Sequence, residues 1–219
     1  SDLLRGYSPD IEELHKLQKG KDKNLLATLR SLKLFTLFLA DVILIGTGTE
    51  IYGRLSKISI AIQMNYLAEF AMIWFVFGDY ATRLLVGLIY TVLNKVNDFT
   101  YMFVFGLEIV VALFMIIFTP THSVIIFHMA WFIGGSGVGG LWVMTPIIIA
   151  QDFGRKYFGF IWGTFTLGME IGIWVFSMVV FDHFYDKYNK DRWGRCTKKH
   201  WFTEAFVLSA IVSVFGLVL

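Results

Sequence analysis

The chain has 219 residues, of which 56% are apolar and 17% aromatic, while only 16% are charged; a soluble domain carries about 25% charged residues. The formal net charge of +2 gives no support to nucleic acid as a partner. The single cysteine, Cys196, cannot close an intrachain disulfide and leaves the redox compartment undetermined.

Residues 1–31 make a polar, lysine-rich arm. Ser8-Pro9-Asp10 followed by Glu12 and Glu13 reads as a helix start with acids in its first turn. Ile11, Leu14 and Leu17 then form a short apolar stripe, so this amphipathic helix suits a membrane surface. A solvated arm fits the composition equally well. The arm has no apolar core of the kind a signal peptide needs. The chain begins at Ser1 and ends inside an apolar run, as expected of a processed protein or of the ordered part of a longer one.

Residues 32–219 hold six apolar segments, at about 32–51, 70–92, 101–118, 124–150, 160–181 and 202–219. Crossing a hydrocarbon core of ~30 Å takes ~20 helical residues, and all six segments approach or exceed that length. The expected fold is an all-α membrane protein with a six-helix transmembrane domain and both ends of that domain on one side of the bilayer. Lysines and arginines are almost evenly divided between the two sides, so the positive-inside rule leaves the orientation open. The loop at 187–199 is unusually basic for the outer face of a plasma membrane. It favours an organelle membrane, such as the mitochondrial inner membrane, or a bound protein partner. Trp193 and Trp201 flank this loop and suit an interfacial belt.

The fourth segment is the most distinctive. Gly134, Gly135, Gly137, Gly139 and Gly140 sit between two lipid-grade flanks. In water each glycine costs a helix about 1 kcal/mol relative to alanine. In a bilayer the backbone must satisfy its own hydrogen bonds, so the helix persists and glycine admits a neighbouring helix at close range. Gly135 with Gly139, and Ser136 with Gly140, have the small-xxx-small spacing of such contacts. Pro146 is expected to kink the helix near its end. The run also satisfies the G-x-G-x-x-G pattern of dinucleotide sites, but that motif needs a preceding strand and a solvent-facing helix start, and this context offers neither.

After the proline come Asp152-Phe153-Gly154 and Arg155-Lys156-Tyr157-Phe158-Gly159. A glycine-rich helix that runs through a proline into an acidic-Phe-Gly turn and a basic-aromatic-Gly step resembles the fourth helix of the C-terminal half of major facilitator transporters, nearest the nodulin-like and monocarboxylate-transporter-like branch. Gly46-Thr47-Gly48-Thr49 resembles the glycine-threonine break in the first helix of that half, and Gly194-Arg195-Cys196 the approach to its last helix. Arg83 and Gly87 resemble the family's Gly-Arg-x3-Gly, with Thr82 in place of the first glycine. The resemblance implies a six-helix half-bundle, alternating access, and a small organic anion as cargo.

Ionisable residues inside a span need a partner or a water-lined cavity. The candidates for a substrate or proton path are Asp41, Asp79, Arg83, Glu108, His128 and Glu170, with Glu50 nearer a membrane face. Asp79 and Arg83 are four residues apart and can pair on one helix face; the functional alternative is that Arg83 contacts an anion and Asp79 gates it. Asp41, Glu108 and Glu170 lie near the middle of their spans and suit a proton relay, or hydrogen bonds that tie helices together. His128 is either a titrating group or a packing residue. His122, His183 and His200 all fall at span ends, so paired axial haem ligands are not expected. No metal-ligand or nucleophile-base spacing appears, so neither a cofactor nor enzymatic chemistry is expected. Two function classes are open. One is a carrier half completed by a second six-helix half. The other is a transport-inactive half that serves as a structural subunit of a large membrane complex, such as a mitochondrial respiratory assembly.

Overall fold

The computed structural model describes residues 25–61, 68–92, 97–118, 123–187 and 200–219. Every secondary-structure element among them is helical. A short α1 (Leu25–Leu29) leads into α2 (Leu32–Gly53). The start of α2 is set by Ser31, whose hydroxyl accepts the Leu34 amide at 3.3 Å and so satisfies one of the helix's free N–H groups. After Arg54 come α3 (Leu55–Ala61), α4 (Ala68–Val92), α5 (Asp98–Phe118) and α6 (Val124–Phe153). α7 (Phe158–Trp174) runs through a π-helical stretch, Val175–Val180, into α8 (Phe181–Lys187), and α9 (His200–Val218) follows.

Among the described residues, five helices are long and apolar enough to cross a membrane: α2, α4, α5, α6 and the continuous α7–α8. α9 is apolar and shorter. This is an all-α, multi-pass membrane protein, the architecture that lipid imposes when every backbone group must be bonded within its own segment. The surface helix expected at residues 8–17 lies outside the described residues, as do Lys95, His122 and the basic loop with Trp193 and Cys196. The two short helices α1 and α3 add to the six segments read from hydropathy.

α2 and α6 form the centre. α6 packs against α4 and α5 and meets α2, while α2 packs against α7 and α9, and α5 packs against α9. Exchanging α2 with α6, α4 with α7, and α5 with α9 returns the same set of main neighbours. In chain order the long helices thus fall into two sets of three, α2–α4–α5 and α6–α7–α9, that exchange matching contacts. Among these helices Phe127, Trp131, Phe165 and Phe206 are completely enclosed. The outer face of α4 instead shows Phe70, Ile73, Phe77, Leu84 and Leu88 to the surroundings, as a lipid-facing helix does.

Glycines make the close crossings, and they come in equivalent places. On α6, methyl groups at Gly135 and Gly139 would overlap the backbone carbonyls of Phe75 and Asp79 on α4, while one at Gly78 would overlap Phe132 of α6. On the matching pair, Gly46 of α2 faces the backbone of Gly172 on α7, and Gly172 faces that of Val42. Gly137 and Gly140 point elsewhere, against the carbonyl and the ring of Phe105 on α5. The single expected neighbour of the glycine run is thus two neighbours, served by alternate glycines. α6 continues unbroken through Pro146 to Phe153 and stops at Gly154, whose φ of 85° lies where glycine is favoured.

Candidate functional site

Polar groups gather in four places. The first lies on the α4–α6 pair. Arg83 donates to Asp79 through two parallel bonds, Nε to Oδ1 at 2.8 Å and a terminal nitrogen to Oδ2 at 3.0 Å. The absence of a side chain at Gly139 makes room for the Asp79 carboxylate. The guanidinium also stands 5.7 Å from the Trp142 ring centroid, within cation–π reach. Trp142 in turn meets Trp162 of α7 edge-on at 5.8 Å. This row, Asp79–Arg83–Trp142–Trp162, spans α4, α6 and α7. Arg83 remains about a third exposed and Asp79 much less, so the pair is accessible from the guanidinium side.

The second is the interior of α2. Asp41 is fully buried, and the neighbouring polar group is Thr145, one turn along α6 from Trp142. Neither carboxyl oxygen of Asp41 completes a hydrogen bond in this geometry, and neither does the Thr145 hydroxyl. Further along α2, Glu50 is equally buried and accepts from the Ser209 hydroxyl of α9 at 2.6 Å. Ser213 donates to the Ser209 carbonyl and lies 2.7 Å from the Thr47 hydroxyl. These contacts form a polar ladder tying α2 to α9. Glu50 thus lies three residues from the end of α2 with its side chain buried against α9.

The third place is the pair of bundle ends. At one end Arg54, with a side chain only 12% exposed, donates from Nε to the Ser177 carbonyl at 2.9 Å and from a terminal nitrogen to Asp182 at 2.7 Å. Lys57 adds a second bond to Asp182 at 3.0 Å and lies over the Tyr185 ring at 4.1 Å. The Ser177 carbonyl belongs to the π-helical stretch. At the other end Lys33 pairs with Asp152 at 2.8 Å, and Tyr90 bridges Gln151 to Asp98. The turn residues Gly154, Arg155, Lys156 and Gly159 lie at this end; a methyl at Gly159 would meet open space.

The fourth is the outer surface. Glu108 sits halfway along α5 with Ser136 of α6 beside it. Ser136 shares a 2.8 Å hydrogen bond with Thr82 of α4. Glu170 is exposed on α7 among Leu167, Ile171 and Trp174, all more than half exposed. His128 bonds through Nδ1 to the Val124 carbonyl at 2.7 Å and lies edge-on to Trp74 and Phe127, the geometry of a packing residue.

The chain matches no protein-family model and no curated protein.

Of the residues singled out in the sequence, Asp79 and Arg83 meet each other, whereas Asp41, Glu108, His128 and Glu170 stand apart. Sequence reasoning missed Arg54, Lys57, Asp182 and the Glu50–Ser209 contact. Ser209 and Ser213, four apart in an apolar run, were the available signal for the ladder; the π-helical stretch has no counterpart in the residue pattern.

Proposed function

We propose that this chain is one six-helix half of a secondary carrier of the major facilitator type, moving small organic anions such as monocarboxylates by proton-coupled alternating access. The observation that carries the reading is the exchange of neighbours between α2–α4–α5 and α6–α7–α9. Two three-helix repeats of inverted topology are the building plan of such halves, with substrate and coupling groups near the bilayer midplane. In this reading a second six-helix half closes the path against the face that carries Arg83 and Trp142. Arg83 has five N–H donors and gives two to Asp79, which leaves three for a carboxylate. Asp79 competes with that carboxylate and so acts as its gate. Asp41, enclosed beside Thr145, carries the proton.

Purified protein in liposomes is expected to take up small carboxylates faster under an inward proton gradient. Arg83→Ala abolishes that uptake, Arg83→Lys raises KM while preserving a cation for Asp79, and Asp41→Asn removes the gradient dependence. Uptake that survives Arg83→Ala unchanged removes Arg83 from the path.

A second reading is a transport-inactive half held as a structural subunit of a large membrane complex. It is favoured by Glu170, which is exposed, and by Glu108, which lines a groove open to the surroundings. A native polypeptide near twice this length supports the carrier. A native chain of ~25 kDa that stays bound to other membrane subunits in mild detergent supports the structural role.

A further inference from the structure

Glu108 stands ten residues from either end of α5, which places it ~15 Å from both helix ends at 1.5 Å per residue. Its neighbours on α5, Val104, Leu107 and Val111, are each 40–45% exposed. With Phe132, Ile133 and Ser136 of α6 they line a groove of about 330 Å³, which Glu108 also lines. Ser136 and Thr82 form a short hydroxyl chain behind it: with Thr82 donating to Ser136, the Ser136 proton is left for the carboxyl. One oxygen, Oε2, is enclosed and has no hydrogen-bond partner among the described residues, while the carboxyl as a whole is only half-covered. A membrane-depth carboxyl on an outward-opening groove is costly unless something supplies a hydrogen-bond donor to it.

We infer that this groove is the seat of a transmembrane helix from another polypeptide, one that carries an amide or basic side chain near its midpoint. Depth selects the occupant. Lipid amines and hydroxyls lie in the head-group layers outside the ~30 Å hydrocarbon core, beyond reach of a group ~15 Å inside α5. Acyl chains fill the groove and offer no donor. A second copy of this chain in a two-fold contact sets Glu108 against Glu108, acid against acid. A helix with Asn, Gln, His, Lys or Arg at mid-depth supplies the donor and buries its apolar flanks against Val104, Leu107, Val111 and Ile133. This inference is independent of transport, since the groove lies on the α5 side of the α4–α6 pair, whereas Arg83 reaches past it to Trp142.

The test uses full-length protein in its native membranes, with a photoreactive amino acid placed at Val111 and, as a control on the same outer face, at Phe114. The crosslinked residue is then mapped by mass spectrometry. The expected result is one polypeptide adduct from position 111, mapped within a turn of an amide or basic residue in a transmembrane segment. Glu108→Leu should lower its yield about tenfold, as loss of an interhelical hydrogen bond does in lipid, while Glu108→Gln largely retains it. Glu108→Leu removes a polar group from the bilayer, so its thermal unfolding should match that of the wild type and loss of adduct reports on docking. Lipid-only adducts at 111, adducts to another copy of this chain, or a protein adduct indifferent to Glu108→Leu each overturn the inference.

Discussion

Gly139 and Gly163 are the same residue type in apolar helices and do opposite jobs. A methyl at Gly139 meets the Asp79 carbonyl and carboxylate, whereas one at Gly163 meets nothing within 4 Å. Gly139→Ala is expected to destabilise the fold by about 1–3 kcal/mol, because the obstacle is backbone and cannot rotate away. It also displaces Asp79 and so loosens Arg83. Gly163→Ala should be neutral or raise stability by up to ~1 kcal/mol, since alanine favours the helix. Thermal unfolding in detergent distinguishes the two, and equal effects would mean that the α4–α6 crossing is not close. Gly154→Ala carries a different cost, about 1–3 kcal/mol, because its φ of 85° with ψ of 173° is a backbone conformation that essentially only glycine adopts.

Between elements, hydrogen bonds replace the hydrophobic drive that lipid removes. Ser209→Ala leaves the Glu50 carboxylate without its donor from α9 and should cost about 1–2 kcal/mol. In a double-mutant cycle, Ser209→Ala should cost far less in a Glu50→Leu background, which has no acceptor; additive costs would show that the two do not interact. The Arg54 guanidinium holds α2 to the π-helical stretch of α7 through the Ser177 carbonyl. Arg54→Ala should speed hydrogen exchange at residues 175–180, and Arg54→Lys should restore only part of the protection, because an ammonium lacks the planar fork that serves Ser177 and Asp182 together. Unchanged exchange in Arg54→Ala would mean that the stretch is held by its own packing.

For the whole molecule, the number of crossings is the first consequence to measure. α9 has the shortest apolar stretch, yet it supplies the ladder to α2 and the contacts to α5. In a Cys196→Ser background, cysteines introduced at Arg155 and Leu219 should label from one side of the membrane and one at Ser56 from the other. Labelling of Leu219 from the Ser56 side would show that α9 does not cross. The same three positions give the orientation, which the even spread of lysine and arginine leaves open.

The sequence by itself determined that the chain is helical, apolar and multi-pass, because the bilayer sets both the length of a span and the demand that its backbone bonds be internal. It also located the helix-ending turn at Gly154 and the Asp79–Arg83 pair, both of which depend on residues close together in the chain. What lay beyond it depends on contacts between distant residues. Alternate glycines of α6 serve α4 and α5 because consecutive helix positions point about 100° apart, and only packing says which helix stands at each angle. Asp41 and Glu50 share one helix and read alike, yet one faces α6 with both oxygens unbonded and the other receives a hydroxyl from α9. Glu108 reads as an interior acid because it lies mid-span; the tertiary structure leaves it half-covered at a groove, because the opposite face of α5 is the one that Val110, Leu113 and Ile117 bury.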